Sequence, residues 1–132
     1  MSLHHANGAA PKFFTVAAAA ELLLVSDRTI RRWIDDKKLK SHQFGGATRV
    51  ASADLIGFIE RARRGGVPLR ARNPLEDTFY TVETVAEILN VCVRTVRRRI
   101  RSKALTAHKF GRRLVRIAES DLRDFVDRSV RD

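Results

Sequence analysis

The 132-residue sequence is poor in the residues that mark several classes of protein. Cys92 is its single cysteine, so the chain can form no internal disulfide and no cysteine-rich zinc site. Its longest apolar stretch, residues 13–25, is interrupted by Glu21 and is shorter than the roughly 20 residues that a membrane helix needs. Glycine and proline number only 7 and 3, which excludes a collagen-like chain. We therefore expect a folded, cytoplasmic, non-membrane protein without a metal site or cofactor.

Positive charge is what the sequence has in abundance. Lysine and arginine number 26 against 15 aspartates and glutamates, for a formal net charge of +11. Twenty of the basic residues are arginines, whose planar guanidinium suits phosphate and guanine better than a lysine ammonium does. This balance predicts double-stranded DNA as the partner. RNA is less favoured, because stacking aromatics make up only 7% of the residues.

The sequence contains two copies of one unit. With a shift of 66 residues, the string Phe14-Thr15-Val16 falls on Tyr80-Thr81-Val82, and one residue is inserted in the second copy after Gly111. Because 22 of 48 aligned positions are identical, we predict two tandem domains. The expected organisation is a disordered tail at residues 1–12, domains at 13–64 and 80–132, and a glycine- and proline-containing linker at 65–79.

Apolar periodicity predicts two helices at the start of each copy. In copy 2, Thr81 caps a helix at about residues 82–89, and Asn90 turns the chain into a second helix at about 93–102. One face of that second helix carries four arginines at i, i+3, i+4 and i+7, which are Arg94, Arg97, Arg98 and Arg101. Four guanidiniums on one face repel each other, so we expect this face to contact DNA.

A hairpin and a last helix complete each copy. Alternating residues at 107–110 and 114–117 predict two short strands, with a basic tip at Gly111-Arg112-Arg113. Glu119 or Ser120 begins the last helix of copy 2, and Ser52 caps that of copy 1, whose hairpin turns at Gly45-Gly46-Ala47. The predicted fold is mainly α with short β-hairpin wings, arranged as two tandem winged helix-turn-helix domains.

Both copies resemble the excisionase-type, MerR-like winged helix-turn-helix family, in the strings FTVAAAAELLLVSDRTIRRWI at 14–34 and YTVETVAEILNVCVRTVRRRI at 80–100. The resemblance implies that the second helix enters the major groove and that the wing contacts the adjacent backbone or minor groove. The implied helix contacts are Arg28, Thr29, Arg31 and Arg32 in copy 1 and Arg94, Thr95, Arg97 and Arg98 in copy 2. The basic residues of the wings are Lys40 and Arg49 in copy 1 and Lys109, Arg112, Arg113 and Arg116 in copy 2.

Departures from the family pattern are few. Leu24 and Asn90 stand in the turn, where the family usually has glycine, and Cys92 stands at the second cap, where serine is usual. Cys92 is interpreted as a small, weak cap. Redox sensing is the alternative for Cys92, since neighbouring arginines would lower its thiol pKa.

Three other side chains, Trp33, His42 and His108, have residue types that can take part in binding or catalysis. Trp33 is expected to pack against the wing or the last helix, with a DNA contact as the alternative. His42 and His108 occupy matching positions and are interpreted as structural or phosphate-facing. No catalytic set is found, so we expect no enzyme. A protein-interaction module such as an antitoxin would need an exposed apolar face, which the sequence does not display.

Two biological roles remain open. As a recombination directionality factor, the protein would bend DNA beside attachment sites and steer an integrase. As a transcriptional regulator, it would bind promoter DNA and act on RNA polymerase. In both roles we expect a monomer with two pseudo-equivalent domains, and cooperative binding along DNA stays open. Copy 2, at +6 over residues 80–132 against +4 over residues 14–64, is expected to bind more tightly.

Overall fold

The computed structural model describes residues 12–64 and 73–131. The chain divides into two compact units, Met1–Phe58 and Ile59–Asp132. The tail predicted at residues 1–12 lies outside the described residues except for Lys12, and so does the part of the predicted linker at 65–72. The rest of that linker includes one 3₁₀ turn, Pro74–Glu76.

The first unit combines a helix pair with a small sheet. Its elements in chain order are β1 (Phe13–Thr15), α1 (Val16–Leu23), α2 (Asp27–Asp35), β2 (His42–Phe44), β3 (Ala47–Ala51) and the start of α3 (Ser52–Ala62). The strands form an antiparallel sheet in which β3 lies between β1 and β2. The core of the unit is formed by buried side chains from every helix and from β3, which include Leu23, Ile30, Val50 and Leu55.

The second unit repeats this arrangement and adds one strand. After the end of α3 its elements are β4 (Arg63–Arg64), β5 (Phe79–Thr81), α4 (Val82–Leu89), α5 (Val93–Arg101), β6 (Ala107–Lys109), β7 (Val115–Ala118) and α6 (Glu119–Arg128). The antiparallel sheet has the order β4-β6-β7-β5. Val85, Val96, Leu105, Ile117 and Leu122 form its buried core. The predicted fold of six helices with short hairpins is confirmed.

Local chemistry explains where the first two helices of each unit start and stop. The hydroxyls of Thr15 and Thr81 cap α1 and α4 by accepting backbone N–H hydrogen bonds of 3.0 and 3.1 Å. Leu24 and Asn90 then both take the left-handed conformation, with φ of 59° and 55°. Leucine pays a larger steric cost there than asparagine does, yet the two turns have the same geometry.

Two predicted helix ends need correction. Ser52 is the first residue of α3, and its hydroxyl donates a hydrogen bond to the backbone oxygen of Lys12, 3.0 Å away. The second helix of copy 2 ends at Arg101, with Ser102 as its C-cap. Both differences are one residue, which is within the usual uncertainty of helix ends.

Candidate nucleic-acid interface

The arginine face of α5 is displayed as the spacing predicts. Val96 is buried in the core on one side of the helix, and the opposite side carries four exposed arginines that line a shallow groove together with Val93. Arg97 lies 3.8 Å from a carboxylate oxygen of Glu83, and both side chains are more than half exposed. Exposed pairs of this kind contribute little, so Arg97 stays available to an anionic ligand. Here Arg94, Arg97, Arg98 and Arg101 are called the α5 arginines.

The cap residues of the two second helices differ in strength. In the first unit, the Ser26 hydroxyl accepts the Thr29 backbone N–H at 3.1 Å, which satisfies the start of α2. In the second unit, Cys92 makes no side-chain cap hydrogen bond. Its sulfur lies 3.3 Å from the Thr95 hydroxyl. Thr29 and Thr95 are both half-buried, with their hydroxyls turned to the cap residue.

Hydrogen bonding, first of all with the Thr95 side chain, lowers the pKa of the exposed Cys92 thiol. The arginine side chains, which the sequence suggested as the cause, are not the source of this shift. Cys92 also lies at the start of α5, where the helix dipole favours negative charge.

The second helix of the first unit, α2, shows a similar division of faces. Arg28, Arg31 and Arg32 are exposed, whereas Ile30 and Trp33 are buried. The Trp33 ring packs on Phe58 of α3, with ring centroids 4.9 Å apart and planes tilted by 47°. The prediction that Trp33 packs against the last helix is confirmed, and its burial removes the alternative of a DNA contact.

The two wings differ in chemistry. In the second unit, the segment between β6 and β7 carries the exposed side chains of Arg112 and Arg113, and Lys109 is exposed at the end of β6. In the first unit the tip is Gly45-Gly46, where Gly45 has a φ of 65°. That conformation favours glycine, so the tip presents no side-chain charge.

The remaining wing residues are less accessible than the sequence suggested. Lys40 is exposed ahead of β2, but Arg49 is half-buried and donates a hydrogen bond to the Thr48 backbone oxygen at 2.8 Å. Arg116 is buried and donates to the Val115 backbone oxygen at 2.9 Å. Burial lowers the pKa of the Arg116 guanidinium. The structure therefore places Arg116 inside the unit rather than on the exposed wing.

Each copy matches the family model described as a helix-turn-helix domain, over residues 13–63 and 79–129. Together these segments span more than half of the 132 residues. The chain belongs to this family. It is an excisionase-type helix-turn-helix protein with two tandem domains, and the family supports sequence-specific DNA binding. No curated protein and no solved structure matches the chain.

His108 of the second helix-turn-helix domain is structural. It is buried between two rings, with its centroid 5.4 Å from that of Phe79 and 6.2 Å from that of Phe110. Its Nδ1 is buried without a hydrogen-bond partner among the described residues. Burial, helped by the nearby Arg63 charge, lowers the pKa of His108 to about 4. The structural interpretation is confirmed for His108, and its burial rules out a phosphate contact.

Two polar residues that support α6 were missed by the sequence analysis. Asp77 accepts hydrogen bonds from the backbone N–H and the hydroxyl of Ser120, and it thereby caps a helix whose N-cap residue, Ala118, has no side-chain cap. Arg63 of β4 pairs with the buried Asp121 through two hydrogen bonds of 3.0 and 3.3 Å. Both partners come from distant points of the sequence, so helical spacing gave no signal for them.

Over residues 12–64 and 73–131, no three histidine, cysteine or acidic side chains gather where they could bind a metal ion. Within the same ranges, no helix has the length and hydropathy to cross a membrane.

Proposed function

We propose that this helix-turn-helix protein is a recombination directionality factor, which binds double-stranded DNA beside attachment sites, bends it and steers an integrase. The observation that carries the DNA-binding part of the proposal is the exposed row of α5 arginines on a helix that packs against the core through Val96. Placed in the major groove, guanidiniums at this spacing reach the O6 and N7 atoms of guanine and the flanking phosphates.

The wing of the second domain extends the same surface chemistry. Arg112 and Arg113 are exposed at its tip, and phosphate contacts from such residues set the position of a domain on DNA without reading its sequence. Arg116 is left out of the contact set because it is buried. In the first domain the contacts come from Arg28, Arg31 and Arg32, which are exposed on α2.

Covalent linkage makes two modest binders act together. Once the second domain is bound, the first is held near the DNA at a high effective concentration, so its weaker contacts add to the total affinity. DNA that bends between two contact regions repays its deformation energy through those added contacts. On this proposal the protein acts in the cytoplasm, on the nucleoid, and its protein partner is an integrase.

Gel shifts on circularly permuted fragments test the proposal. Genomic fragments flanking the gene are first screened for binding across a salt series, where a log-log slope of about −5 to −8 is expected for six to nine phosphate contacts. The bound fragment is then permuted, and we expect a bend of about 40° or more. A specific complex on unbent promoter DNA would instead support the transcriptional regulator, and equal binding to all fragments would overturn sequence-specific recognition.

A further inference from the structure

The two units contain the same aromatic cluster in different surroundings. In each unit a histidine lies edge-on to one phenylalanine, with ring centroids 5.4 Å apart, and stacks on another at 6.0 or 6.2 Å. The first cluster is Phe13, His42 and Phe44, and the second cluster is Phe79, His108 and Phe110. Phe13 and Phe44 are 43% and 53% exposed, whereas Phe79 and Phe110 are 4% and 8% exposed.

His108 of the second cluster lies on β6, a strand that is paired on both sides. Strand β4 pairs with β6, with Arg63 opposite His108 and Arg64 opposite Ala107. Just before β4, Ile59 and Ala62 are buried. The matching strand of the first unit, β2, pairs with β3 on one side, and no described strand pairs with its other side. An unpaired edge beside exposed aromatic rings is a site for strand addition.

The segment that covers the corresponding edge in the second unit has a sequence counterpart elsewhere in the chain. Residues 59–64, which end α3 and form β4, align with residues 126–131 at the end of copy 2. Buried Ile59 corresponds to Val126, and Arg63 corresponds to Val130. Val126 and Val130 are 42% and 70% exposed.

We propose that residues 126–131 of one copy dock on the β2 edge and the first aromatic cluster of a second copy. The docked segment repeats the register of β4, which places Val130 opposite His42 and Arg131 opposite Ser41 of the second copy. Val130 cannot repeat the ion pair that Arg63 forms with Asp121, so the docked segment is held by strand pairing and by apolar contact with the exposed phenylalanine rings.

Docking of this kind joins different surfaces of the two copies, so it is head-to-tail and propagates along a row. The surface is small, and small interfaces are weak in free solution. Copies already bound side by side on DNA would be joined at high effective concentration. The proposal refines the expected monomer, since the chain would be monomeric when dilute and associated when aligned.

Site-specific disulfide trapping tests the register. Two chains are prepared in a Cys92→Ser background, one with Ser41→Cys and one with Arg131→Cys, and are mixed at high protein concentration with oxidised glutathione, so that the weak association is populated without DNA. Opposed residues of antiparallel strands have Cα atoms about 4.5–5.5 Å apart, which a disulfide can bridge. The matched control replaces Ser41→Cys, just before β2, by Gln43→Cys within β2, which lies two residues further along the chain and beyond bridging distance.

A mixed disulfide well above the yield of the control is expected because only the matched pair lies within bridging distance, and adding Phe44→Ser should reduce it to the control level. Equal yields for Ser41→Cys and Gln43→Cys would overturn the proposal. A disulfide that forms within one chain, when both cysteines are placed in it, would also overturn the proposal. So would a disulfide that forms only after residues 2–11 are deleted. In either case a segment of the same chain, and not a second copy, would cover the edge. The measurement contains no DNA, so its outcome is independent of the proposed directionality function.

Discussion

The two domains share their order of elements, but the second is more completely built than the first. The second has a four-stranded sheet, a basic wing tip and a buried aromatic cluster, whereas the first has three described strands, a glycine tip and an exposed cluster. The differences arise from contacts outside the 48 aligned positions, from the residue inserted at the wing tip of the second copy, and from substitutions at the surface. Homology of the repeats therefore predicts the shared scaffold, while the surroundings of each copy decide its surface.

The features that favour DNA contact and those that favour stability are divided between the two domains. The second domain has the stronger basic surface but the weaker cap, because Cys92 stands where the first domain has Ser26. The first domain has the better cap but a leucine in the left-handed turn, where the second has Asn90. Neither copy is the better domain in every respect, so exchanging matched residues tests each difference by itself.

The largest expected effect is on the stability of the second unit, through the ion pair between Arg63 and Asp121. Among the described residues, the first unit shows no equivalent pair. Arg63→Met leaves the buried Asp121 carboxylate without its main cation, and we expect a loss of about 3–5 kcal/mol in the free energy of unfolding. Urea unfolding measures it. The matched control is Asp54→Ala in the first domain, at the half-buried position equivalent to Asp121, where a loss under about 1 kcal/mol is expected. Equal losses would show that the pair is not the source of the difference.

The second largest effect is expected on DNA affinity, which should fall by different amounts when arginines are removed from the two domains. Arg97→Ala/Arg98→Ala is expected to weaken binding by about 2–4 kcal/mol, or roughly 30- to 1,000-fold, because each arginine contact contributes about 1–3 kcal/mol. Arg31→Ala/Arg32→Ala in the first domain should cost about 1–2 kcal/mol.

Gel-shift titration at one salt concentration measures both arginine pairs. Arg123→Ala/Arg128→Ala removes the same charge from α6, whose arginines are paired with Glu119 and Asp124, and serves as the control. If this α6 variant weakens binding as much as the α5 variant does, affinity follows net charge rather than the α5 surface.

Acid should destabilise the second domain through His108. Its pKa is about 4 in the folded protein and about 6.5 when unfolded, so the unfolded chain binds the extra proton between these values. Stability is complete above about pH 7 and falls as the pH drops toward 4, by up to about 3 kcal/mol. Urea unfolding at a series of pH values should show this slope, and His108→Gln should remove most of it. An unchanged slope in that variant would assign the acid sensitivity to other groups.

The smallest expected effect is a reciprocal exchange of caps. Cys92→Ser restores a hydroxyl that can accept the Thr95 N–H, and it should stabilise the second domain by about 1 kcal/mol. Ser26→Cys removes the corresponding 3.1 Å hydrogen bond and should destabilise the first domain by a similar amount. Thermal melts of the two single variants and the double variant measure this. Shifts of the same sign in both single variants would contradict the capping explanation.

Several features could be predicted because they depend on neighbours within one helical turn. The spacing of the α5 arginines determines that they share a face, and Thr81 caps the helix that begins beside it. The left-handed turn at Asn90 follows from the end of the short helix that precedes it, whereas the same conformation at Leu24 is visible only in the structure. The burial of Trp33 followed from its place between apolar positions on α2.

Other features depend on partners far away in the sequence. Arg63 lies 58 residues from Asp121, and Asp77 lies 43 residues from Ser120. Arg116 is hidden although it belongs to a basic hairpin, because its strand is central in the sheet. No local pattern distinguishes such an arginine from the exposed ones at the wing tip.

The amino-acid sequence by itself determined the repeat, the helix boundaries to within about one residue, and the face on which the basic side chains lie. Those properties arise from hydrogen bonds and side-chain spacing within three to four residues, which are the same wherever the segment is placed. Tertiary structure alone decided which aromatic cluster is covered, which arginine is buried and which carboxylate caps α6. Burial and charge pairing are set by the surfaces that folding brings together, and identical segments therefore end in different environments.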